Sequence, residues 1–342
     1  MEYQGCIFLE RGINFDYNSV TDCCILHHSN KGLPLLLENY KGGLIDWEKI
    51  FEIKENRIQN QIKKTVYECE GCYHLGNYEF SFEKKISEFH FSHCRLCNAK
   101  CIYCSKEYSE GDINFDTYPV ISDLIEKGYY KSGGEATFQG GEPTMMKHFN
   151  ELIELFIKNG TSIRVHTSGI KFSPQVCDSL KQNKGSVVIS LDCGSKKTYK
   201  KIKQVDCFEY VLDSIQKYSR ANSDNVIVKY ILIPGVNDNI NEIDKFFRII
   251  KQYNIKKAAL DIEVKYADKY NNKDVSPHIF LLVDYFEKKA EKLKIKVLIY
   301  SFLSYVLQNR TLKTSKWINF KPLYSLLVNK LNDKSKIIQY KR

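Results

Sequence analysis

The sequence predicts an α/β protein: a partial (β/α)6 TIM-type barrel preceded by a small cysteine-rich, loop-rich domain. Three observations lead there. From about residue 86, short β-branched apolar runs alternate with helical stretches. The runs are apolar on both faces, as buried parallel strands are. Nine of the twelve cysteines fall within the first 104 residues. An open doubly wound sheet suits the same alternation. In either architecture the site lies at the carboxyl ends of the strands.

The elements follow in order. Residues 1–85 read as irregular, with one helical stretch over 46–65 carrying Trp47, Ile50, Phe51, Ile58 and Ile62 at helical spacing. Strands are then expected over 86–91, 135–138, 162–167, 187–192, 226–233 and 258–264, with a further one over 295–299. Helices are expected over 117–127, 146–158, 174–182, 208–220, 240–253 and 277–292. Gly140-Gly141 and Pro234-Gly235 punctuate two strand ends. The barrel is assigned to 86–300 and the cysteine-rich region to 1–85. A basic helical tail is assigned to 301–342, whose last 32 residues, 311–342, hold eight basic side chains and one acidic. A complete eight-unit barrel needs about 250 residues, more than 86–300 supplies.

Composition narrows the function classes. At 342 residues and 43% hydrophobic, the chain can bury a full core and does not read as disordered. No apolar run reaches the ~18 residues of a membrane span. Charged residues interrupt any signal-like opening, so the expected compartment is the cytoplasm. The net charge of +10 is a modest excess that reads mostly as solvated surface. A nucleic-acid partner is not expected, because no aromatic-plus-basic reading surface is discernible.

The chemistry sits in the cysteines. A reducing compartment disfavours a disulfide framework, and clustered thiols there point to metal. Cys94, Cys97, Cys101 and Cys104 occupy eleven residues. Paired C-x-x-C spacings at 94/97 and 101/104, or Cys69/Cys72 with Cys94/Cys97, would suit zinc. The spacing Cys97-x-x-x-Cys101-x-x-Cys104 instead puts three thiolates on one tight loop after the first strand of a βα series. Such a set holds three irons of a four-iron cube and leaves the fourth open to a reactant.

That spacing, with Tyr103 immediately before the last cysteine, resembles the radical S-adenosylmethionine (radical SAM) superfamily. The run Gln139-Gly140-Gly141-Glu142-Pro143-Thr144 after the second strand is similar to that family's GGEP motif. The resemblance covers about 86–265. It implies a 4Fe-4S cluster on Cys97, Cys101 and Cys104 whose open iron binds SAM. Reductive cleavage of SAM to a 5′-deoxyadenosyl radical and abstraction of a substrate hydrogen would follow. It assigns Tyr103, Gly140, Gly141, Glu142, Pro143, Ser168, Ser190, Asp192 and Lys229 to the SAM site. Paired glycines let backbone approach a ligand, and a carboxylate can meet an ammonium. Lys229 stands in an apolar strand and needs a partner. The residue that acts on the substrate is not identified.

Cys6, Cys23, Cys24, Cys69 and Cys72 precede this core. They resemble the auxiliary-cluster domains (SPASM or twitch types) of such enzymes, although those normally follow the barrel. A second cluster is therefore expected, with structural zinc as the alternative. The leading reading is oxidation or modification of a peptide or carbohydrate, driven by an electron donor such as flavodoxin or ferredoxin. A glycyl-radical activase and a non-catalytic zinc protein are the other readings. No cobalamin-binding unit is discernible in the first 85 residues.

Overall fold

The computed structural model describes residues 2–23, 35–63, 75–79, 82–105, 111–113, 115–263, 277–300 and 303. The tail, residues 304–342, and Cys24, Cys69 and Cys72 lie outside the described residues. The first part contains β1 (Glu2–Gly5), α1 (Ile7–Arg11), β2 (Gly12–Asp16), β3 (Ser19–Thr21), β4 (Leu35–Glu38), α2 (Trp47–Ile62) and β5 (Gly76–Glu79). Then come β6 (Glu88–Phe91), α3 (Tyr118–Glu126), β7 (Glu135–Phe138), α4 (Phe149–Lys158), β8 (Ser162–Thr167), α5 (Pro174–Lys181) and β9 (Gly185–Ser190). The series ends with α6 (Lys196–Lys203), α7 (Phe208–Asn222), β10 (Val226–Leu232), α8 (Ile240–Gln252), β11 (Lys257–Ile262), α9 (Pro277–Lys292) and β12 (Lys296–Ile299).

Strand order decides the architecture. One ten-stranded sheet runs β12-β11-β10-β9-β8-β7-β6-β2-β3-β4. From β6 to β12 every strand is added on the same side of its predecessor, and each pairing is parallel. A doubly wound sheet would reverse direction at a switch point; this one winds as a barrel does, open between β4 and β12 among the described residues. The outer face is apolar and buried under the helices: Phe89, Phe91, Ala136, Phe138, Val165 and Val187 are all within 1% of full burial. The inner face alternates with it and carries His90, Thr137, Arg164, His166, Ser190, Lys229 and Asp261 beside a small apolar patch of Val188, Ile227 and Ala259.

The amino-terminal segment is more ordered than the sequence suggests. β2 pairs in parallel with β6 (Gly12 opposite Glu88), and β3 and β4 extend the sheet as antiparallel strands. Ile13, Phe15, Val20 and Leu36 join the same core as the barrel strands, as do Trp47, Ile50 and Phe51 of α2. The Trp47 indole donates to Asp123 on α3 at 2.7 Å. The buried Lys54 ammonium donates to the Gly12 carbonyl at 2.8 Å and pairs with Asp22 at 2.5 Å, where Arg57 also pairs. Strands of three to five residues leave too little periodicity to be seen in a sequence. Among the described residues no helix is long and apolar enough to cross a membrane.

Candidate active site

The cysteine loop follows β6 directly, at the carboxyl mouth of the barrel. Its backbone is held on three sides. The Cys94 and Leu96 carbonyls accept from the Gly141 and Glu142 amides at 2.7 and 2.8 Å. The Lys100 and Ile102 amides donate at 2.9 Å each to Lys203 and Ile202, the carbonyl end of α6. The Cys104 amide closes a tight turn on the Cys101 carbonyl at 3.0 Å.

This placement gives Gly140-Gly141 a structural reason. A Cβ on Gly141 would lie 2.4 Å from the Leu96 carbonyl oxygen, and one on Gly140 2.7 Å from that of Cys94. Gly140 also has φ +103°, a region side chains avoid. What comes close is the cysteine loop itself, so the glycines set the distance between the two motifs.

Glu142 is fully buried and occupied within the protein. One oxygen accepts from the hydroxyls of Thr144 and Thr167 at 2.7 and 2.8 Å and from the Thr144 amide at 3.2 Å. The other accepts from the Ser168 amide at 2.7 Å. Thus Glu142 ties the end of β7 to the end of β8. Pro143 opens the short 3-10 turn that follows it. The Ser168 hydroxyl reaches back to Asn98 of the cysteine loop at 2.9 Å.

Asp192 is the second buried hub. It follows β9 in a left-handed conformation (φ +60°), and its amide donates to the Lys229 carbonyl at 3.0 Å. One carboxylate oxygen accepts from the Ile231 amide at 3.0 Å. The other accepts from the Tyr103 hydroxyl at 2.7 Å and the Lys203 ammonium at 2.5 Å. Lys203 also donates to the Tyr103 hydroxyl at 2.9 Å. Lys203 and Asp192 are 1% and 0% exposed, so a closed Asp–Lys–Tyr triad stands between Cys101 and Cys104 through Tyr103. Burial first, then the Asp192 carboxylate, holds the Tyr103 phenol well above its usual range. Asp192 keeps Lys203 charged against the pull of burial.

The lysine expected to need a partner was Lys229. It is half-buried on the inner face, opposite Ser190 in the ladder, with its ammonium 5.7 Å from the Tyr300 ring centre. The fully buried lysine is Lys203, which the sequence reading missed. Thr167, Asn98, Asn237 and α6 were missed as well. Asn237 donates to the Asp192 and Ile231 carbonyls at 2.7 Å each.

The three thiols are free and half-buried at the mouth. Cys97 accepts from the Ala99 amide at 3.5 Å, and burial pushes its thiol up to about 11. A hydrogen bond from Cys104 draws Cys101 down to about 6, against burial, and raises Cys104 itself. Cys94 is different in kind: it is fully buried, and its thiol faces the Leu96 and Glu142 carbonyls at 3.5 and 3.6 Å. Among the described residues no three metal-binding side chains converge on a single-ion position. A four-iron cube makes no such demand, because each thiolate takes a different iron. One loop with three free thiols beside an open barrel mouth fits that group.

Of the amino-terminal set, the described pair are Cys6 and Cys23. Cys6 caps α1, its sulfur accepting from the Leu9 amide at 3.4 Å, and packs with Leu9 and Ile58. Cys23 is half-buried just past Asp22. On the inner face, burial and neighbouring cations depress His166 to about 3 and His90 to about 4, leaving both rings neutral. Arg164 beside them pairs with Glu135 at 2.9 Å.

Curated relatives include the GTP 3′,8-cyclase of Pasteurella multocida, 23% identical over 196 residues, covering 55% of this chain and 58% of that protein. A probable GTP 3′,8-cyclase of Pyrococcus horikoshii is 25% identical over 217 residues, covering 63% of this chain and 68% of its own. The chain thus spans little more than half the length of the first of these. Among solved structures, Streptococcus suis SuiB bound to the precursor peptide SuiA superposes with a TM-score of 0.50 at 10% identity, over 88% of this chain and 73% of that one. That likeness concerns the fold. Residues 91–247 of this chain, from the last residue of β6 through most of α8, match the Radical SAM superfamily.

Proposed function

We propose that the chain is a radical SAM enzyme in which Cys97, Cys101 and Cys104 hold a 4Fe-4S cluster at the barrel mouth. When bound, that cluster supplies the electron that cleaves SAM to methionine and a 5′-deoxyadenosyl radical, which takes a hydrogen atom from the substrate. The observation that carries the reading is the docking of the three-thiol loop, amide to carbonyl, on Gly141 and Glu142. SAM would lie along the strand ends beside the Gly140-Gly141-Glu142-Pro143 turn, Ser168, Ser190, Asp192 and Lys229, with Tyr103 behind the cluster loop. Glu142 and Asp192 serve there by fixing the strand-end backbone, since most of their bonding capacity is used internally. The polar inner face below, with Thr137, Arg164, His166 and Asp261, receives the substrate.

A second cluster on Cys6, Cys23, Cys24, Cys69 and Cys72 would take an electron from the substrate radical, which suits net oxidation or modification of a peptide or carbohydrate. The names of the curated relatives favour a second reading, in which the substrate is a purine nucleotide. A flavodoxin or ferredoxin in the cytoplasm would supply the reducing electron.

The test is iron and acid-labile sulfide per chain after anaerobic reconstitution, together with 5′-deoxyadenosine formed from SAM under dithionite. The wild type should hold about eight irons, and a Cys97→Ala/Cys101→Ala/Cys104→Ala variant about four, if both clusters exist. About four falling to none would retain the SAM chemistry and remove the auxiliary cluster. Zinc with no iron after reconstitution, or no 5′-deoxyadenosine from an iron-loaded chain, would overturn the reading. Adding GTP, a peptide or a sugar to parallel reactions and following substrate-dependent product separates the substrate classes.

A further inference from the structure

α6 is a helix with two unlike faces. Its inner face, Tyr199, Ile202 and Lys203, is buried. The carbonyls at its end hold the Lys100 and Ile102 amides of the cysteine loop, and Lys203 holds Tyr103 between two of the three cysteines. Its outer face presents Lys196, Lys197, Lys200 and Lys201, all exposed, and Lys100 of the loop is exposed beside them. Asp206 answers Lys196 and Lys200 at 3.3 and 3.6 Å. Lys197 has no ion-pair partner among the described residues. A cleft of about 630 Å³ continues this face between α6 and the start of α8, lined by Lys197, Lys201 and Lys245 together with Glu242, which pairs with Lys245 at 3.2 Å. None of these four lysines packs in the core; Lys201 donates to the Gly235 carbonyl at 3.4 Å.

We propose that this outer face of α6 is the docking surface for an acidic one-electron carrier protein of the flavodoxin class. The inference rests on the radical SAM reading above. An unbalanced cationic surface collects an anionic partner and accelerates encounter, by about 10- to 1,000-fold at low salt. Here the surface is one helix thick, and the far side of that helix is hydrogen-bonded to the loop that carries the thiols. A carrier seated on it would approach the cysteine loop from behind, leaving the barrel mouth free for SAM and substrate. In the exchange the carrier is oxidised by one electron. With a cluster held by Cys97, Cys101 and Cys104, that electron would be the one spent on breaking the sulfonium carbon–sulfur bond of SAM, giving methionine and the 5′-deoxyadenosyl radical. A nucleic-acid phosphate backbone would also be drawn to lysines, but the contact with the cysteine loop favours the electron carrier.

The experiment uses the reconstituted full chain and purified flavodoxin. The double variant Lys197→Glu/Lys201→Glu is compared with Lys158→Glu/Lys181→Glu, an equal charge change at the carboxyl ends of α4 and α5, outside the α6 face. SAM cleavage is driven either by reduced flavodoxin or by dithionite, and flavodoxin affinity is measured by titration at low and high salt. The α6 variant should lose at least about tenfold in flavodoxin-driven rate and in affinity at low salt, with the difference shrinking as salt screens it. Its dithionite-driven rate should stay within twofold of wild type, which also shows that it is folded. The control pair should match wild type in every arm. Unchanged flavodoxin affinity in the α6 variant with its dithionite rate intact overturns the inference alone. So does equal loss in the control pair, or single-stranded RNA binding that the α6 variant abolishes while its flavodoxin-driven rate holds. No SAM cleavage by wild type under dithionite overturns the radical SAM reading and this inference with it.

Discussion

Replacing Lys203 with methionine tests whether the buried triad sets the position of the cysteine loop. The substitution keeps the stem volume and removes the charge. Asp192, 0% exposed, would then hold a carboxylate with only the Ile231 amide and the Tyr103 hydroxyl for partners. Breaking one side of a buried ion pair costs about 3–5 kcal/mol, because the remaining charge stays out of water uncompensated. Tyr103 keeps one of its two partners, so the loss on that side is closer to ~1 kcal/mol. Asp192→Asn should cost a similar amount through the stranded ammonium. The double variant Asp192→Asn/Lys203→Met strands no charge and should cost less than the sum of the singles by at least about 1 kcal/mol. Urea unfolding followed by far-ultraviolet circular dichroism gives the energies, and iron retained after reconstitution reports the loop. Single variants within about 1 kcal/mol of wild type, or a strictly additive double, would refute the view that these three groups act as one anchor.

Two further outcomes follow from the same geometry. Gly141→Ala forces a Cβ against the Leu96 carbonyl at 2.4 Å, so one of the two motif backbones must move; it should cost about 1–3 kcal/mol and most of the bound iron, read by urea titration and iron assay. His93 is 1% exposed, its ring is stacked 4.7 Å from that of Phe115, and burial lowers it from 6.5 to about 4. The unfolded chain therefore binds the extra proton first, so the neutral ring's contribution is complete above about pH 6.5 and is lost as pH falls toward 4. At about 1.4 kcal/mol per pH unit, wild type should lose about 2 kcal/mol between pH 7.5 and 5 through this residue, and His93→Phe should lose correspondingly less across that interval in matched urea titrations.

The barrel from β6 onward was legible because short apolar runs alternate there with helical stretches, although β6 (Glu-Phe-His-Phe) holds no β-branched residue. The ends were less so. β9 stops at Ser190 rather than 192, because Asp192 turns left-handed to reach three partners, and composition carries no sign of that. α4 starts at Phe149 rather than 146, after a 3-10 turn and a left-handed His148. α6 was invisible because Lys-Lys-Thr-Tyr-Lys-Lys-Ile-Lys reads as a solvated charge run. Its buried side is only Tyr199, Ile202 and Lys203, and one of those is itself charged. Lys229 was conspicuous in an apolar strand, whereas Lys203, inside a charge run, was not. The site motifs were legible by spacing, but their internal bonding was not. Nothing in Gly-Gly-Glu-Pro says that the glycines face a loop carbonyl or that the glutamate spends itself on Thr144, Thr167 and Ser168.

Two fully buried lysines, Lys54 and Lys203, show how this chain holds its cysteine segments. Each lies 2.5 Å from a buried aspartate, and each aspartate adjoins a cysteine-bearing stretch: Asp22 precedes Cys23 and Cys24, and Asp192 is bonded to Tyr103 between Cys101 and Cys104. A loop that presents thiols at a surface cannot bury them to fix its own position. Apolar packing would also leave it free to slide, since dispersion contacts are weakly directional. An ion pair with further hydrogen bonds is directional. Lys54 additionally donates to the Gly12 carbonyl and Lys203 to the Tyr103 hydroxyl, so each fixes a distance and an angle at once. Such pairs add little net stability over an apolar core, and their use beside thiols is consistent with a role in holding ligand geometry. The symmetry extends to their surroundings. Arg57 adds a second cation at Asp22, and the α6 lysines place further cations outside Asp192. At the cysteine loop the Lys203 charge pulls Cys97, Cys101 and Cys104 toward the thiolate, while burial pulls the other way and outweighs it at Cys97.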